Sequence, residues 1–163
     1  MGNMTSMSGR QTVQLDQRNR ISYPVTYRNA IGDILYISPD QRSRGYLIMR
    51  SKEGYENELK RIEDECIEQG EDREEIEDAR RDFAGATQNP TPDKNNRITL
   101  NKELIEYAGL KGAVVIIGIG EYAEIWDADR LHAYEEERAR LKAIKRAKKD
   151  AAKRAQIAAE EEA

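Results

Sequence analysis

In 163 residues the chain has one cysteine, one histidine, one tryptophan and one phenylalanine. A lone Cys66 excludes an internal disulfide and fits a reducing cytoplasm. A lone His132, set among charged residues, excludes a histidine-based catalytic triad and a multi-histidine metal site. No apolar run approaches the roughly 20 residues needed to span a bilayer, and the polar start, residues 1–10, lacks the apolar core of a signal peptide. No glycine-rich loop precedes a lysine in phosphate-cradling order, and Gly118-Ile119-Gly120 falls in a hairpin and not before a helix. Carboxylate pairs abound, but on exposed helix faces. Tyrosine and arginine do not interleave along a strand as they do in single-strand binders. The expectation is therefore a protein that is not an enzyme, with no catalytic residue, metal site, cofactor, small-molecule substrate or membrane partner.

What is present is charge, unevenly spread. Charged residues make up 36% of the chain and hydrophobic ones 38%, which predicts a soluble cytosolic protein with a modest core and much wetted helix surface. The formal net charge is −4, but the sign alternates along the sequence. Residues 1–52 carry eight Lys and Arg against three Asp and Glu, and residues 53–82 carry five against fourteen. Residues 83–137 carry five against ten, and residues 138–154 nine against one. Screening confines fields to about 8–10 Å at physiological salt, so local potential and not the total decides what anion is bound.

Two short polar turns organise the pattern. Asp16-Gln17-Arg18-Asn19-Arg20 and Asp93-Lys94-Asn95-Asn96-Arg97 share the spacing Asp-x-x-Asn-Arg, about 77 residues apart. Each runs straight into an alternating apolar segment, Ile21-Ser22-Tyr23 and Ile98-Thr99-Leu100. Asn tolerates positive φ and Asp bonds its own backbone two residues on. Both pentads thus read as strand-to-strand turns holding an arginine at the tip, suited to gripping an anion and not to acid–base chemistry. The halves stay in step beyond the turns. Arg28–Gly32 parallels Glu106–Leu110 as a short helix closing on glycine, Ile34–Ile37 parallels Val114–Ile117 as a buried strand, and Tyr46–Met49 parallels Ala123–Trp126 as its hairpin partner. One β-α-β-β unit with a helical tail is written twice. Each half alone is too small for a comfortable independent core.

Between the repeats, residues 52–70 and 71–84 predict two antiparallel helices broken at Gly70, with an apolar stripe of Tyr55, Leu59, Ile62, Cys66 and Ile67 on the first and Ile76, Ala79 and Phe83 on the second. Both are otherwise acidic. Cys66 on that stripe reads as core and not as a reactive thiol. Arg42 and Arg44 read as a solvated loop. Residues 85–92, with Pro90 and Pro92, form a connection and a short or irregular edge strand. Lys102–Tyr107 is a helix capped by Asn101 and ended by Gly109. Ala113–Ile119 is a central strand, and Trp126 a core or interface anchor. From Asp129 the composition is one long helix with Glu136–Arg140 and Asp150–Arg154 pairs and a weak, alanine-rich seam. Its basic block could lie on DNA, meet the acidic helices of a neighbouring subunit, or stay in solvent. The expected division is a disordered leader over 1–11, a first repeat with helical hairpin over 12–84, a second repeat over 85–135 and a charged helical extension over 136–163.

The chain resembles the MraZ family, bacterial transcriptional regulators built from two AbrB-like repeats. The resemblance rests on the two turns, on Glu103-Leu104-Ile105-Glu106-Tyr107-Ala108-Gly109-Leu110 and on Gly118-Ile119-Gly120-Glu121-Tyr122-Ala123-Glu124-Ile125-Trp126, and it covers most of the chain. It departs from the family where Asn19 and Asn96 hold a position usually occupied by glycine. It implies an α+β fold: a pseudo-symmetric, double-split, swapped-hairpin β-barrel of two β-α-β-β repeats, with peripheral helices and a long C-terminal helix. It also implies a homo-oligomeric ring, commonly an octamer, in a cytoplasmic and nucleoid-associated protein. Such a ring would bind double-stranded DNA at tandem G-rich direct repeats in the promoter of the cell-division and cell-wall gene cluster. Position by position, Arg20 and Arg97 match the family's DNA contacts. Arg18 and Lys94 in the same turns are expected phosphate contacts, Asn19 and Asn96 form the turn tips, and Asp16 and Asp93 shape the turns. The alternative is a ring-forming assembly or partner-binding protein that has lost DNA binding. An AbrB-like antitoxin is disfavoured, since two barrel halves stand in tandem here.

Overall fold

The computed structural model describes residues 6–163. Close contacts divide the chain into two compact units, Met1–Ala128 and Asp129–Ala163. The first unit holds every strand among the described residues. In chain order its elements are β1 (Arg10–Gln14), β2 (Arg20–Ser22), α1 (Val25–Ile31), β3 (Leu35–Pro39), β4 (Leu47–Ser51), α2 (Lys52–Glu68), α3 (Arg73–Gly85), β5 (Arg97–Thr99), α4 (Lys102–Ala108), β6 (Ala113–Gly118) and β7 (Tyr122–Asp127). The mixed α+β composition and the repeat of strand, strand, helix, hairpin follow the sequence pattern closely.

All pairing is antiparallel, and it crosses between the halves. Five strands form one sheet in the order β1-β6-β7-β4-β3, and β2 pairs with β5 in a separate ribbon. β1 of the first half lies against β6 of the second, with Thr12 opposite Val115. Its counterpart in the second half is a single bridge, Gln88 to Ile37 of β3, where Pro90 and Pro92 leave no room for a longer ladder. β4 and β7 meet at the centre, Met49 opposite Ala123. Among the described residues no hydrogen-bonded ladder closes the sheet and the ribbon into one barrel, so the expected closed barrel is an open five-stranded sheet with a two-stranded ribbon.

The alternation of each strand decides its inward face. Leu35 and Ile37, Leu47 and Met49, Val114 and Ile116 point into one core, which Ile21 and Ile98 enter from the ribbon and Tyr27 and Leu104 from α1 and α4. Burying each such side chain contributes about 1.5–3 kcal/mol. β4 is buried on both faces, because α2 and α3 cover its outer side. There Tyr55 stacks on Tyr36, ring centroids 4.3 Å apart, and Ile62, Cys66 and Phe83 form a second small core. Glu71, hydrogen-bonded to the Cys66 thiol, pushes it up to about 11, so at neutral pH the sulfur is a protonated packing group. Ile67, assigned to the apolar stripe by spacing, is instead exposed.

Capping residues set the helix limits. Ser51 accepts from the Gly54 amide to open α2, Asp72 and Glu75 form a reciprocal capping box on α3, and Asn101 accepts from Leu104 to open α4. The sheet begins earlier than the expected leader allows. Residues 1–5 lie outside the described residues, but Met7 is buried in the core and bridges Gly120. A Cβ on Gly118 would sit 2.4 Å from the Ser8 amide nitrogen, so the close passage of this segment requires glycine there.

The second unit is one helix, α5 (Ala128–Glu161). Within it Arg140 pairs with Glu137, and His132 Nε2 lies 2.9 Å from Glu136 Oε1, an ion pair when the imidazole is protonated. The expected Glu136–Arg140 pairing gives way to the nearer i, i+3 carboxylate.

Candidate nucleic-acid interface

The two pentads fold alike down to single hydrogen bonds. In the first, the Asp16 amide donates to the Arg20 carbonyl at 3.0 Å and the Asn19 amide to the Asp16 carbonyl at 3.1 Å. In the second, Asp93 to Arg97 is 2.9 Å and Asn96 to Asp93 is 3.0 Å. The aspartate side chains do the same work in both. Asp16 Oδ1 accepts from the Arg18 and Arg20 amides at 2.8 and 2.9 Å. Asp93 Oδ1 accepts from the Asn95 and Arg97 amides at 2.8 and 3.0 Å. Asn19 and Asn96 take φ of 62° and 60°, the left-handed geometry that only glycine, Asn and Asp visit routinely.

The turns are also tied to each other. The Leu100 amide donates to the Asn19 carbonyl at 2.8 Å and the Tyr23 amide to the Asn96 carbonyl at 2.9 Å, so each turn is held by the strand end of the other half. The ribbon register places Arg20 opposite Thr99, Ile21 opposite Ile98, and Ser22 opposite Arg97. Ile21 and Ile98 are buried. By strand alternation Arg20, Ser22, Arg97 and Thr99 share the opposite, outward face. The two arginines thus stand diagonally across one two-stranded ribbon.

Each arginine is braced by its own aspartate. Arg20 Nε donates to Asp16 Oδ2 at 2.8 Å. Arg97 Nε lies 3.4 Å from Asp93 Oδ2, outside hydrogen-bonding geometry, and has no partner among the described residues. The arginine side chains keep 21% and 32% of their surface exposed. Only the Nε edge faces the carboxylate, so the guanidinium ends remain available to a ligand. Arg18 and Lys94 are exposed in the turns, as is Asn19 at the tip of the first.

One member of the site was not visible in the sequence pattern. Arg28 on α1 donates through Nη1 to the Asn96 side-chain oxygen and through Nη2 and Nε to Asp33. The Asn96 side chain also donates to the Tyr23 carbonyl. The second turn is therefore pinned to α1, whereas the Asn19 side chain makes no such bond among the described residues. No local spacing signals a contact between residues 68 apart.

These contacts set expected outcomes for both turn asparagines. Asn19→Gly should leave stability within a few tenths of a kcal/mol, while Asn19→Ala should cost about 1 kcal/mol from the left-handed backbone. Asn96→Gly should cost about 1 kcal/mol, because it loses the bonds to Tyr23 and Arg28. Urea unfolding of the three variants measures all of these.

The carboxylates titrate abnormally. The Arg20 backbone amide, with further bonds from the Arg20 side chain and the Arg18 amide, holds the Asp16 carboxyl below its ordinary 3.8. The Arg97 and Asn95 amides, with the Arg97 and Arg20 charges, do the same for Asp93. Depressed folded values mean that these bonds contribute fully above pH of about 4 and are lost as pH falls through the folded pKa. Carbon-detected NMR titration should show both midpoints below 3.8, with the turn amides shifting together.

Comparison with known proteins follows the same lines. The family model described as "MraZ protein, putative antitoxin-like" matches residues 83–154. A protein named transcriptional regulator MraZ from Paenarthrobacter aurescens (strain TC1) is 31% identical over 126 residues, 77% of this chain and 84% of the relative. One of the same name from Tropheryma whipplei (strain TW08/27) is 31% identical over 129 residues, 79% of this chain and 86% of the relative. Another from Mycobacterium ulcerans (strain Agy99) is 30% identical over 128 residues, 78% and 85% of the two chains. With both arginine turns inside a fold of two cross-paired repeats, and with relatives at this identity over most of their length, the chain belongs to the MraZ family.

Proposed function

We propose that the chain is a transcriptional regulator, and not an enzyme, that binds double-stranded DNA through the outward face of the β2–β5 ribbon. The observation that carries this reading is the shared face of Arg20 and Arg97, each braced by an aspartate. Arg20, held at Nε by Asp16, is pre-organised, so less rotamer entropy is lost when its free edge meets a ligand. Its two remaining nitrogens match the O6 and N7 acceptors of guanine in the major groove. Arg18 and Lys94, exposed beside them, reach phosphates. Asn19 and Asn96 form the tips, and Asp16 and Asp93 shape the turns without touching the anionic duplex.

The finer reading is a ring of subunits, an octamer by analogy with the family, on tandem G-rich direct repeats in the promoter of the cell-division and cell-wall gene cluster. A ribbon only three residues per strand covers few base pairs, and repeated contact multiplies a weak single-site affinity through effective concentration. Such a protein works in the cytoplasm at the nucleoid. No described helix is long and apolar enough to cross a membrane. The exchange of β1 and the Gln88 segment between halves supports an AbrB-like, swapped-hairpin ancestry for the fold.

A second reading, an assembly or partner-binding protein that no longer touches DNA, draws on the Asp16–Arg20 ion pair, which occupies part of one guanidinium. Fluorescence polarisation against tandem G-rich repeat duplexes, with a scrambled duplex as control, separates the two. Tight, sequence-dependent binding that weakens steeply with salt is the result expected from phosphate neutralisation. Equal, weak binding to both duplexes overturns the proposal.

A further inference from the structure

The two turns share a backbone, but their tip side chains differ in what they touch. The Asn96 carboxamide is tied up inside the protein. Its oxygen accepts from Arg28 Nη1, its nitrogen donates to the Tyr23 carbonyl, and the residue is half-buried. Arg28 is itself held by Asp33, with its guanidinium 6.0 Å from the centre of the Tyr23 ring. Freeing the Asn96 carboxamide would leave the guanidinium and the Tyr23 carbonyl each one bond short.

Asn19 has the same backbone and none of these partners. Its φ is 62°, its amide donates to the Asp16 carbonyl and its own carbonyl accepts from the Leu100 amide. The residue is nevertheless exposed, and its side chain makes no hydrogen bond among the described residues. The difference has a local cause. Counted back from the closing glycines, Gly32 and Gly109, the residue of α4 that corresponds to Arg28 is Ile105, which has no side-chain donor. Asn19 stands one residue beyond Arg20 at one end of the ribbon, and Asn96 lies at the other end, four residue steps or about 14 Å away. A free carboxamide at one end alone gives the ribbon face a direction along a duplex.

We propose that Asn19 is a specificity-determining residue, its carboxamide reading an adenine next to the guanine read by Arg20, while Asn96 reads no base. The inference rests on the ribbon being the DNA-binding face. A carboxamide sets a donor beside an acceptor, which matches N7 and N6 of adenine in the major groove as a guanidinium matches guanine. The left-handed backbone alone does not call for this group, since glycine would satisfy it. Gln17 and Asn95 are exposed as well, but neither has its carbonyl bonded into the ribbon as Asn19 has, so neither carboxamide is held as firmly beside an arginine.

Selection by the full chain from a pool of randomised duplexes, followed by sequencing, tests it. The parent should enrich a guanine whose preference disappears in Arg20→Ala, with an adenine at the neighbouring position. Asn19→Gly keeps the turn and removes the carboxamide, so it should lose the adenine and keep the guanine. In polarisation titrations, changing that adenine should weaken the parent about tenfold and Asn19→Gly less than about twofold. Asn19→Asp, an acceptor with no donor, should favour cytosine at the same position. Asn96→Gly loosens the second turn and should lower affinity for every duplex by a common factor, with the adenine still selected. The same sequence selected by the parent and by Asn19→Gly, or loss of the adenine in Gln17→Ala or Asn95→Ala instead, overturns the assignment and leaves the ribbon as the DNA-binding face. A parent chain that enriches no sequence overturns the ribbon reading and this inference with it.

Discussion

Replacing Arg20 and Arg97 together with alanine should weaken binding to a tandem-repeat duplex by more than about a hundredfold. Each arginine that reads a base contributes about 1–3 kcal/mol, and tenfold corresponds to about 1.4 kcal/mol. The two sit on one face of one ribbon, so a single docking event engages both and their losses compound. Lysine at either position should not restore affinity, because a point charge cannot make two parallel bonds to one base. Fold stability should change little, since the Asp16 and Asp93 side chains still hold the turns through backbone amides. Polarisation titration of the single and double variants, with circular dichroism of each, checks the whole set. Unchanged affinity in the double variant would remove the ribbon from the interface.

The largest loss of stability should come from Asp40, at the β3–β4 turn. The residue is 6% exposed, and its carboxylate gathers the amides of Arg42, Arg44, Gly45 and Tyr46 and the hydroxyl of Tyr107 on α4. Burial pushes its pKa up, but the Tyr107 hydroxyl and the amides outweigh that and leave it lowered. Alanine would orphan several donors at once, at a cost of about 3 kcal/mol, or a fall in Tm of roughly 10 °C for a unit of this size. Tyr46, which stacks on Trp126 with centroids 4.5 Å apart, would lose its fixed approach. Differential scanning calorimetry of Asp40→Ala beside Tyr107→Phe separates the whole network from one hydroxyl. A loss below about 1 kcal/mol for Asp40→Ala would mean that water replaces the carboxylate.

Most of the architecture could be read from local pattern. The two Asp-x-x-Asn-Arg turns, the helix closed by Gly109 and the apolar run of β6 are short-range signals, and each formed near its expected limits. What could not be read is non-local. That β1 pairs with β6, and Gln88 with Ile37, depends on registers no window of sequence encodes. Met7 in the core depends on Gly118 being bare, a contact 111 residues away. In the candidate site, positive φ at Asn19 and Asn96 was legible from residue type. The bond from Arg28 to Asn96 was not, and nor was the ribbon that sets Arg20 and Arg97 on a common face. Ile67 misled because its spacing fits the apolar stripe only loosely, and it falls on the outer side of α2.

The exchange of edge segments between the halves also governs how the protein can be made. When a ribosome has delivered only residues 1–84, β1 has no neighbour to zip against and β4 shows a bare central edge. Those vacancies are filled only as β6 and β7 emerge, so the amino-terminal half must wait, unfinished and open to aggregation, for more than forty further codons of synthesis. Any slowing of translation between Gly85 and Val114 lengthens that exposure.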